Sequence, residues 1–261
     1  FKWNTSVNFS LSRNKLLEIG GEKQVITQGE RSESYLARVG EPLIQYYGFK
    51  TIGVWNSREE IDANPHFSTD VPGGLRIWNG ELNDNDRVPL GNPYPSFTYG
   101  MTNTFRIGDF DVSFLIQGVQ GVTVLNGDVF YNETVRYNKA YIKDRWVTAE
   151  YPGNGKVPYE KLGTDLMLTD YGLQDASYVC LRNFTVGYTF PKRIARKLHL
   201  SALRLYATGN NLFYIWSDDY KGINPESRMT SGDYSSPMIS GYQRGGFPLT
   251  STVTFGIDLT F

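Results

Sequence analysis

The chain has 261 residues, with 26 basic and 27 acidic side chains, a net charge of -1, 15% aromatic residues and 27 glycines. Near-neutral charge argues against a nucleic-acid binder, which needs a basic footprint. A single cysteine, Cys180, excludes an intramolecular disulfide framework and a cysteine-based zinc site, and His66 and His199 are too far apart for a metal cluster.

Plentiful Tyr, Gly, Thr and Asn point to strands and turns rather than helices. No run of about 18 apolar residues is present, so no membrane-spanning helix is expected. The opening FKWNTSVNFSLS lacks the basic and apolar regions of a signal peptide, so the chain reads as a mature start or as a piece of something longer.

The first segment alternates. Trp3, Thr5, Val7, Phe9 and Leu11 share one face, and Asn4, Ser6, Asn8, Ser10 and Ser12 the other. Residues 14–40 read either as a long turn or as a hidden strand, which leaves the direction of the first segment open. Residues 41–55, EPLIQYYGFKTIGVW, predict a further strand with a noisier pattern. Residues 97–107 and 110–119 predict a hairpin of two amphipathic strands around Gly108-Asp109. NFTVGYTF, at 183–190, repeats the alternation; Pro191 then opens a short basic connection, PKRIARKLHL, suited to a helical turn. A strand follows over 201–213. The closing stretch, TVTFGIDLTF, is the cleanest: Val253, Phe255, Ile257, Leu259 and Phe261 alternate with Thr, Gly and Asp.

Between the strands, 56–96, 121–177 and 217–249 lack periodicity, and loops of such length are usually functional. Short turns and long loops alternate along the chain. That order predicts an antiparallel meander with its long loops at one end.

The apolar faces could meet each other, in a soluble sandwich, or lipid, in a membrane barrel. Three features favour lipid. The polar faces are small and uncharged, whereas a soluble sheet usually shows Lys and Glu to solvent. Aromatics gather near strand ends, where a barrel meets headgroups. The turn asymmetry is that of outer-membrane barrels. Long loops are heavy for a small closed ring, so a portion of a larger barrel fits better.

Two stretches carry a family resemblance. GNPYPSFTYGMTNTFRIGDFDVSFLIQGVQG (91–121) and DASYVCLRNFTVGYTFPKRIARKLHLSALRLYATGNNLF (175–213) resemble signatures of the SusC/RagA family of TonB-dependent outer-membrane transporters. The second has a strand ending in Pro, a basic turn and a strand closing on Gly-x-Asn-Leu-Phe, here Gly209 to Phe213. INPE at 223–226, DRVPLGNPYP and the terminal alternation also fit. One element departs: WNGELNDNDR lacks the regular Asp-x-Asn-Gly-Asp-Gly spacing of many members. Calcium loops need oxygens at fixed offsets, so Asn83, Asp84 and Asp86 make a poor calcium candidate.

The resemblance implies an all-β fold. Residues 1–261 would be the C-terminal part of a receptor β-barrel domain, the last seven or eight of about 22 antiparallel strands, without the plug domain or N-terminal region. It implies an outer-membrane location, active import of oligosaccharides or oligopeptides, a SusD-like surface lipoprotein, coupling to the TonB complex, contact with lipid, lipopolysaccharide and the rest of the barrel, and no cofactor. It also implies that the strand of Val253, Phe255, Ile257, Leu259 and Phe261 is the signal read by the barrel-insertion machinery.

No catalytic motif emerges, and no enzymatic activity is expected. Asp218, Asp219 and Glu226 could form a glycosidase carboxylate pair but read more simply as solvated loop acids. Loop aromatics are the better binding candidates: Trp55, Trp78, Trp146, Tyr151, Trp216 and Tyr220 could stack on sugar faces or hold peptide side chains. Trp216, at a strand end, could equally anchor to headgroups. The alternatives to an importer are a soluble carbohydrate-binding β-sandwich and a surface glycoside hydrolase.

Overall fold

The computed structural model describes residues 1–29, 33–77, 83–127, 144–159, 169–227, 238–243 and 246–261. In chain order its strands are β1 (Lys2–Ser10), β2 (Gln24–Gln28), β3 (Ser34–Arg38), β4 (Gln45–Gly48), β5 (Thr51–Val54), β6 (Leu75–Ile77), β7 (Val88–Gly91), β8 (Phe97–Ile107), β9 (Phe110–Gln120), β10 (Thr123–Asn126), β11 (Leu173–Asp175), β12 (Tyr178–Thr189), β13 (Ala202–Trp216), β14 (Tyr242–Gln243) and β15 (Thr252–Thr260). Two short helices, α1 (Arg58–Asp62) and α2 (Lys192–Lys197), complete the set used below.

Six long strands form one antiparallel sheet in the order β1-β8-β9-β12-β13-β15. Register sets the faces, because side chains alternate with a period of two. Trp3 pairs with Phe105, Val7 with Met101, Phe114 with Phe184, and Ala207 with Phe255, so apolar side chains stand on one face across the sheet. That face is bare: Val7 is 66% exposed, Phe255 80% and Ile257 64%. Aromatic pairs run along it, with Trp3 stacked on Phe105 at 6.0 Å and Phe105 on Phe114 at 6.1 Å. A polar pair, Asn103 and Thr5 opposite it, interrupts it. Asn103 is buried and accepts from Trp3 Nε1 at 3.0 Å and Thr5 Oγ1 at 2.6 Å, so the neighbouring strand satisfies it.

The opposite face carries Asn, Ser, Thr and Gly, with one charged row near the hairpin turn. Arg204 on β13 donates from Nε and Nη2 to the two Asp111 oxygens on β9, at 2.9 and 2.6 Å, and from Nη1 to Asp258 on β15 at 2.8 Å. The reach crosses β12, where Gly187 leaves the space that the guanidinium fills. Three strands, β9, β13 and β15, are thereby cross-linked by one forked cation.

The two ends of the sheet differ. Gly108-Asp109 closes the β8–β9 hairpin, with Gly108 at φ +61°, and residues 190–201 join β12 to β13 through α2. Residues 11–96, 121–177 and 217–251 all leave from the other end. The stretch 14–40 holds the β2–β3 hairpin, off the long sheet, so β1 runs toward the long-loop end, antiparallel to β8. The wall thus has six strands among the described residues, rather than seven or eight. Residues 41–55 supply β4 and β5, which pair with β3, β7 and β6. Ile44, Gln45 and Tyr46 are buried in succession there, which suits the interior of a body and not a one-sided wall.

The long segments, expected without regular structure, fold into that body with short sheets β2-β3-β4-β7, β5-β6 and β11-β10-β14. One core gathers Tyr35, Ile44, Tyr46, Leu75, Leu125, Ile239 and Tyr242. A second packs Val122, Val124, Ala176 and Tyr220 against Val119, Tyr178 and Cys180 of the wall. Those three wall residues lie on the polar face, so the body is rooted on that side.

In the full-length protein held in lipid bilayers, Phe255→Arg should destabilise by about 2–4 kcal/mol, the cost of a cation on a lipid face, and Thr254→Arg by under about 1 kcal/mol. Thermal unfolding reads both; equal losses would contradict the assignment of faces.

Candidate binding surface at the long-loop end

A slip in the wall builds a connected polar cluster. The β12 register shifts between Leu181 and Asn183 against both neighbours, and Asn211 on β13 takes φ +52° opposite the slip. This β-bulge leaves Arg182 outside the ladder and turns it to the polar face. Its Nε donates to Gln117 Oε1 at 2.9 Å, Nη1 to Asn211 Oδ1 and to the Tyr214 hydroxyl at 2.8 Å each, and Nη2 to Glu226 Oε1 at 2.5 Å. The Tyr214 hydroxyl donates on to Glu226 at 2.9 Å. Glu226 belongs to the 217–251 connection, so this ion pair ties that segment to the wall. Ser251 Oγ adds a bond to the Asn211 carbonyl at 2.5 Å.

Aromatic rings continue from the cluster. Tyr178 and Tyr214 lie 5.9 Å apart, Tyr214 and Trp216 6.5 Å, and Trp216 and Tyr220 6.2 Å in an edge contact. Trp216 is 39% exposed, whereas Tyr220 is buried, donating to Gln243 Oε1 at 2.7 Å. Beside Trp216 opens a cleft of about 480 Å³, lined by Asn211, Tyr214, Ile223 and Leu249 among others.

The remaining aromatic candidates lie in the loop body. Trp55 is buried, with the Arg76 guanidinium 4.5 Å from its ring centroid; Arg76 in turn is paired to Glu60 at 2.9 Å. Trp146 donates from Nε1 to Asn56 Oδ1 at 3.1 Å, meets Tyr159 edge-on at 5.9 Å, and covers Gly73. Tyr151 ends the Thr148–Tyr151 turn and is 72% exposed. Nearby Asp70 accepts from the Phe67 N–H at 3.0 Å, and burial pushes its carboxyl above the usual carboxylate range. Between 51–53 and 154–156 lies a second cleft, of about 560 Å³, that also touches Tyr171. The structure therefore brings Trp216 and Tyr220 together, and places Trp146 on the neighbour of Trp55. Trp78 and the Asp84 side chain lie outside the described residues.

The acidic candidates are engaged. Asn83 Oδ1 accepts from the Asn85 N–H at 2.7 Å, and Asp86 Oδ2 from the Asn83 N–H at 3.3 Å, as in a self-capped turn. Among the described residues no group of three or more His, Cys, Asp or Glu side chains could hold a metal ion. Asp219 accepts from the Asp175 N–H at 2.9 Å, and the Asp218 carbonyl from Lys221. Sequence reasoning offered Glu226 as a glycosidase carboxylate or a solvated loop acid, and missed Arg182, Tyr214, Asn211 and Gln117 as site residues. The available signal was the broken alternation of YVCLRNFTVGYT at Arg182.

Arg182→Ala would remove the charged donor from Glu226 and Asn211, leaving the Tyr214 hydroxyl to serve both. We expect a loss of about 1–3 kcal/mol, the range for hydrogen bonds to a charged group. Faster amide exchange should appear over 220–227 and little change over 202–208. Unchanged exchange in the loop would show that the ion pair does not hold it.

No protein-family model matches the chain. Two relatives align with all of it. The TonB-dependent receptor P26 of Formosa agariphila is 29% identical over 278 aligned positions, and the TonB-dependent receptor SusC of Bacteroides thetaiotaomicron 23% identical over 275. The chain spans only about a quarter of their length, 27% and 24%. Among solved structures, a chain of the RagAB peptide transporter superposes with a TM-score of 0.74 at 17% identity, over 99% of this chain and 27% of that one. Aligned end to end with a part of receptors of that name, and built as a one-sided antiparallel wall crowned by a loop body, the chain is similar in sequence to the TonB-dependent receptors and has the fold of a portion of the RagAB transporter chain.

Proposed function

We propose that this chain forms barrel wall and substrate-facing loops of an outer-membrane importer, energised through TonB and partnered by a SusD-like surface lipoprotein. Residues 1–261 would be the C-terminal part of the barrel domain, with Val253, Phe255, Ile257, Leu259 and Phe261 as its assembly signal. The cargo would be an oligosaccharide or an oligopeptide.

The observation that carries this reading is the bare apolar face of the six-stranded sheet. A soluble sandwich would cover it with a second sheet, and none of the other described sheets lies on it. Against lipid the same face needs no cover. A glycosidase is disfavoured because Glu226 is ion-paired to Arg182 and Asp219 is bonded to backbone. For cargo contact we favour the partly exposed rings of Trp146, Tyr151 and Trp216; Trp55 and Tyr220, being buried, would support them from behind.

Deleting the gene in its host should abolish uptake of either labelled oligosaccharides or labelled oligopeptides, with the protein recovered in the outer-membrane fraction. Trp216→Ala and Tyr151→Ala should each raise half-saturation about threefold to tenfold, the worth of one aromatic contact. Unchanged uptake of both cargo classes, or a protein found in the soluble fraction, would refute the proposal.

A further inference from the structure

Resting on the membrane-barrel reading, we propose that α2 is a lipid-binding element that takes the phosphate headgroups of anionic phospholipids at the short-turn rim of the wall. The helix, KRIARK, holds four cations and no acid. At 3.6 residues per turn, Lys192, Arg196, Arg193 and Lys197 fall on one continuous arc. Ile194 and Leu198, one turn apart, fall together beside that arc and are 42% and 56% exposed. Ala195 and Leu200 are buried, so the third side is the one seated on the rim. A basic arc next to an exposed aliphatic one is the pattern of an interfacial helix.

The element is held, not loose. His199 takes φ +58° and turns the chain back, so that the Leu200 N–H bonds the Ala195 carbonyl at 3.0 Å. The Phe190 N–H bonds Leu203 at 2.8 Å, and the Ser201 N–H bonds Thr260 at 2.6 Å, pinning both ends to the wall.

Height and charge then select the ligand. Directly below α2 on the apolar face, Phe110 and Tyr188 lie 4.7 Å apart, and Tyr188 and Phe190 5.0 Å. Aromatic rings of this kind mark the boundary between hydrocarbon and headgroups, so the next element along the strand sits among phosphates. Two wall cations are spent on protein carboxylates, Arg182 on Glu226 and Arg204 on Asp111 and Asp258, whereas Lys2 and Arg106, near the same rim, make no ion pair with any described residue. The four on α2 make no ion pair with any described residue, and the Asp109 carbonyl in the adjacent hairpin bonds β12 instead, accepting from the Thr189 N–H at 2.9 Å. Their free charge complements a phosphate layer, and their methylene stems can follow Ile194 and Leu198 toward the acyl boundary.

The test uses the purified full-length receptor, first shown to insert and fold in vesicles. It is mixed in detergent with equal amounts of phosphatidylglycerol and phosphatidylethanolamine, and the retained lipids are counted by native mass spectrometry. The wild type should retain phosphatidylglycerol preferentially, and the K192Q/R193Q/R196Q/K197Q variant should lose that preference by roughly tenfold or more. I194S/L198S should lower retention of both lipids alike. Unchanged preference in the inserted quadruple variant would overturn the proposal. So would wild-type binding of soluble polyglutamate in competition with phosphatidylglycerol, which would make the site one for acidic polypeptide. A receptor that does not insert at all would instead overturn the barrel reading on which this rests.

Discussion

Backbone amides cannot stay unpaired in hydrocarbon, and that constraint shapes everything else in this chain. A sheet satisfies it by pairing each strand on both sides, which leaves side chains as the sole variable. Side chains then divide by parity: those on one face must suit lipid, and those on the other may be small and polar. The wall follows this rule over most of its length and bends it at Asn103 of β8 and Thr5 of β1 opposite. There the penalty for a polar group is removed locally, since an indole N–H and a hydroxyl from β1 supply both donors. A hydrogen-bonded Asn beneath Trp3 is compatible with an apolar surface in a way that a free one is not.

The wall must also give way to loops without exposing frayed backbone, and the bulge at Arg182 accomplishes this. Below it the strands are a regular ladder with a charged cross-link at Arg204. Above it the pairing is offset by the unpaired residues of β12 and β13, and a cation is released from the ladder toward the polar side. That cation finds ligands from β9, β13 and the 217–251 connection at once. The bulge therefore converts a local irregularity into an anchor for a long segment. The second hydrophobic core begins at the same level, with Cys180 and Tyr178 as its floor. Ion pair and core are complementary: the core supplies non-directional burial, and the ion pair fixes which part of the loop sits where.

How much of this is legible in the sequence follows from the same physics. The wall strands are legible because a lipid face tolerates almost no exceptions, so Phe110, Val112, Phe114 and Ile116 announce their strand alone. The direction of β1 is not legible, since it depends on whether 14–40 joins the wall, and β2 and β3 look like any short alternating pair. Residues 41–55 mislead because a strand buried on both faces has no parity to read. Among the site residues, Trp216 is legible as an aromatic at a strand end. Arg182 is not, because its partners lie in three different places along the chain and only register brings them together. Trp55 and Tyr151 show the limit from the other side. Both are loop aromatics in the sequence, yet one is stacked beneath Arg76 and the other stands in solvent.

The two ends of the wall solve different problems with the same residue types. At the long-loop end Arg182 is consumed internally, because a body of polypeptide must be oriented over the polar face and a buried charge there needs a fixed partner. At the short-turn end no described residue outside the two brief connections folds over the rim, and the cations of α2 pair with no described carboxylate. A charge left unpaired on a rigid, pinned helix is inexpensive only where a mobile counter-charge is always at hand. A phosphate layer at the level of Phe110 and Tyr188 provides that, and the contrast between Arg182 and the four cations of α2 follows from what each end faces.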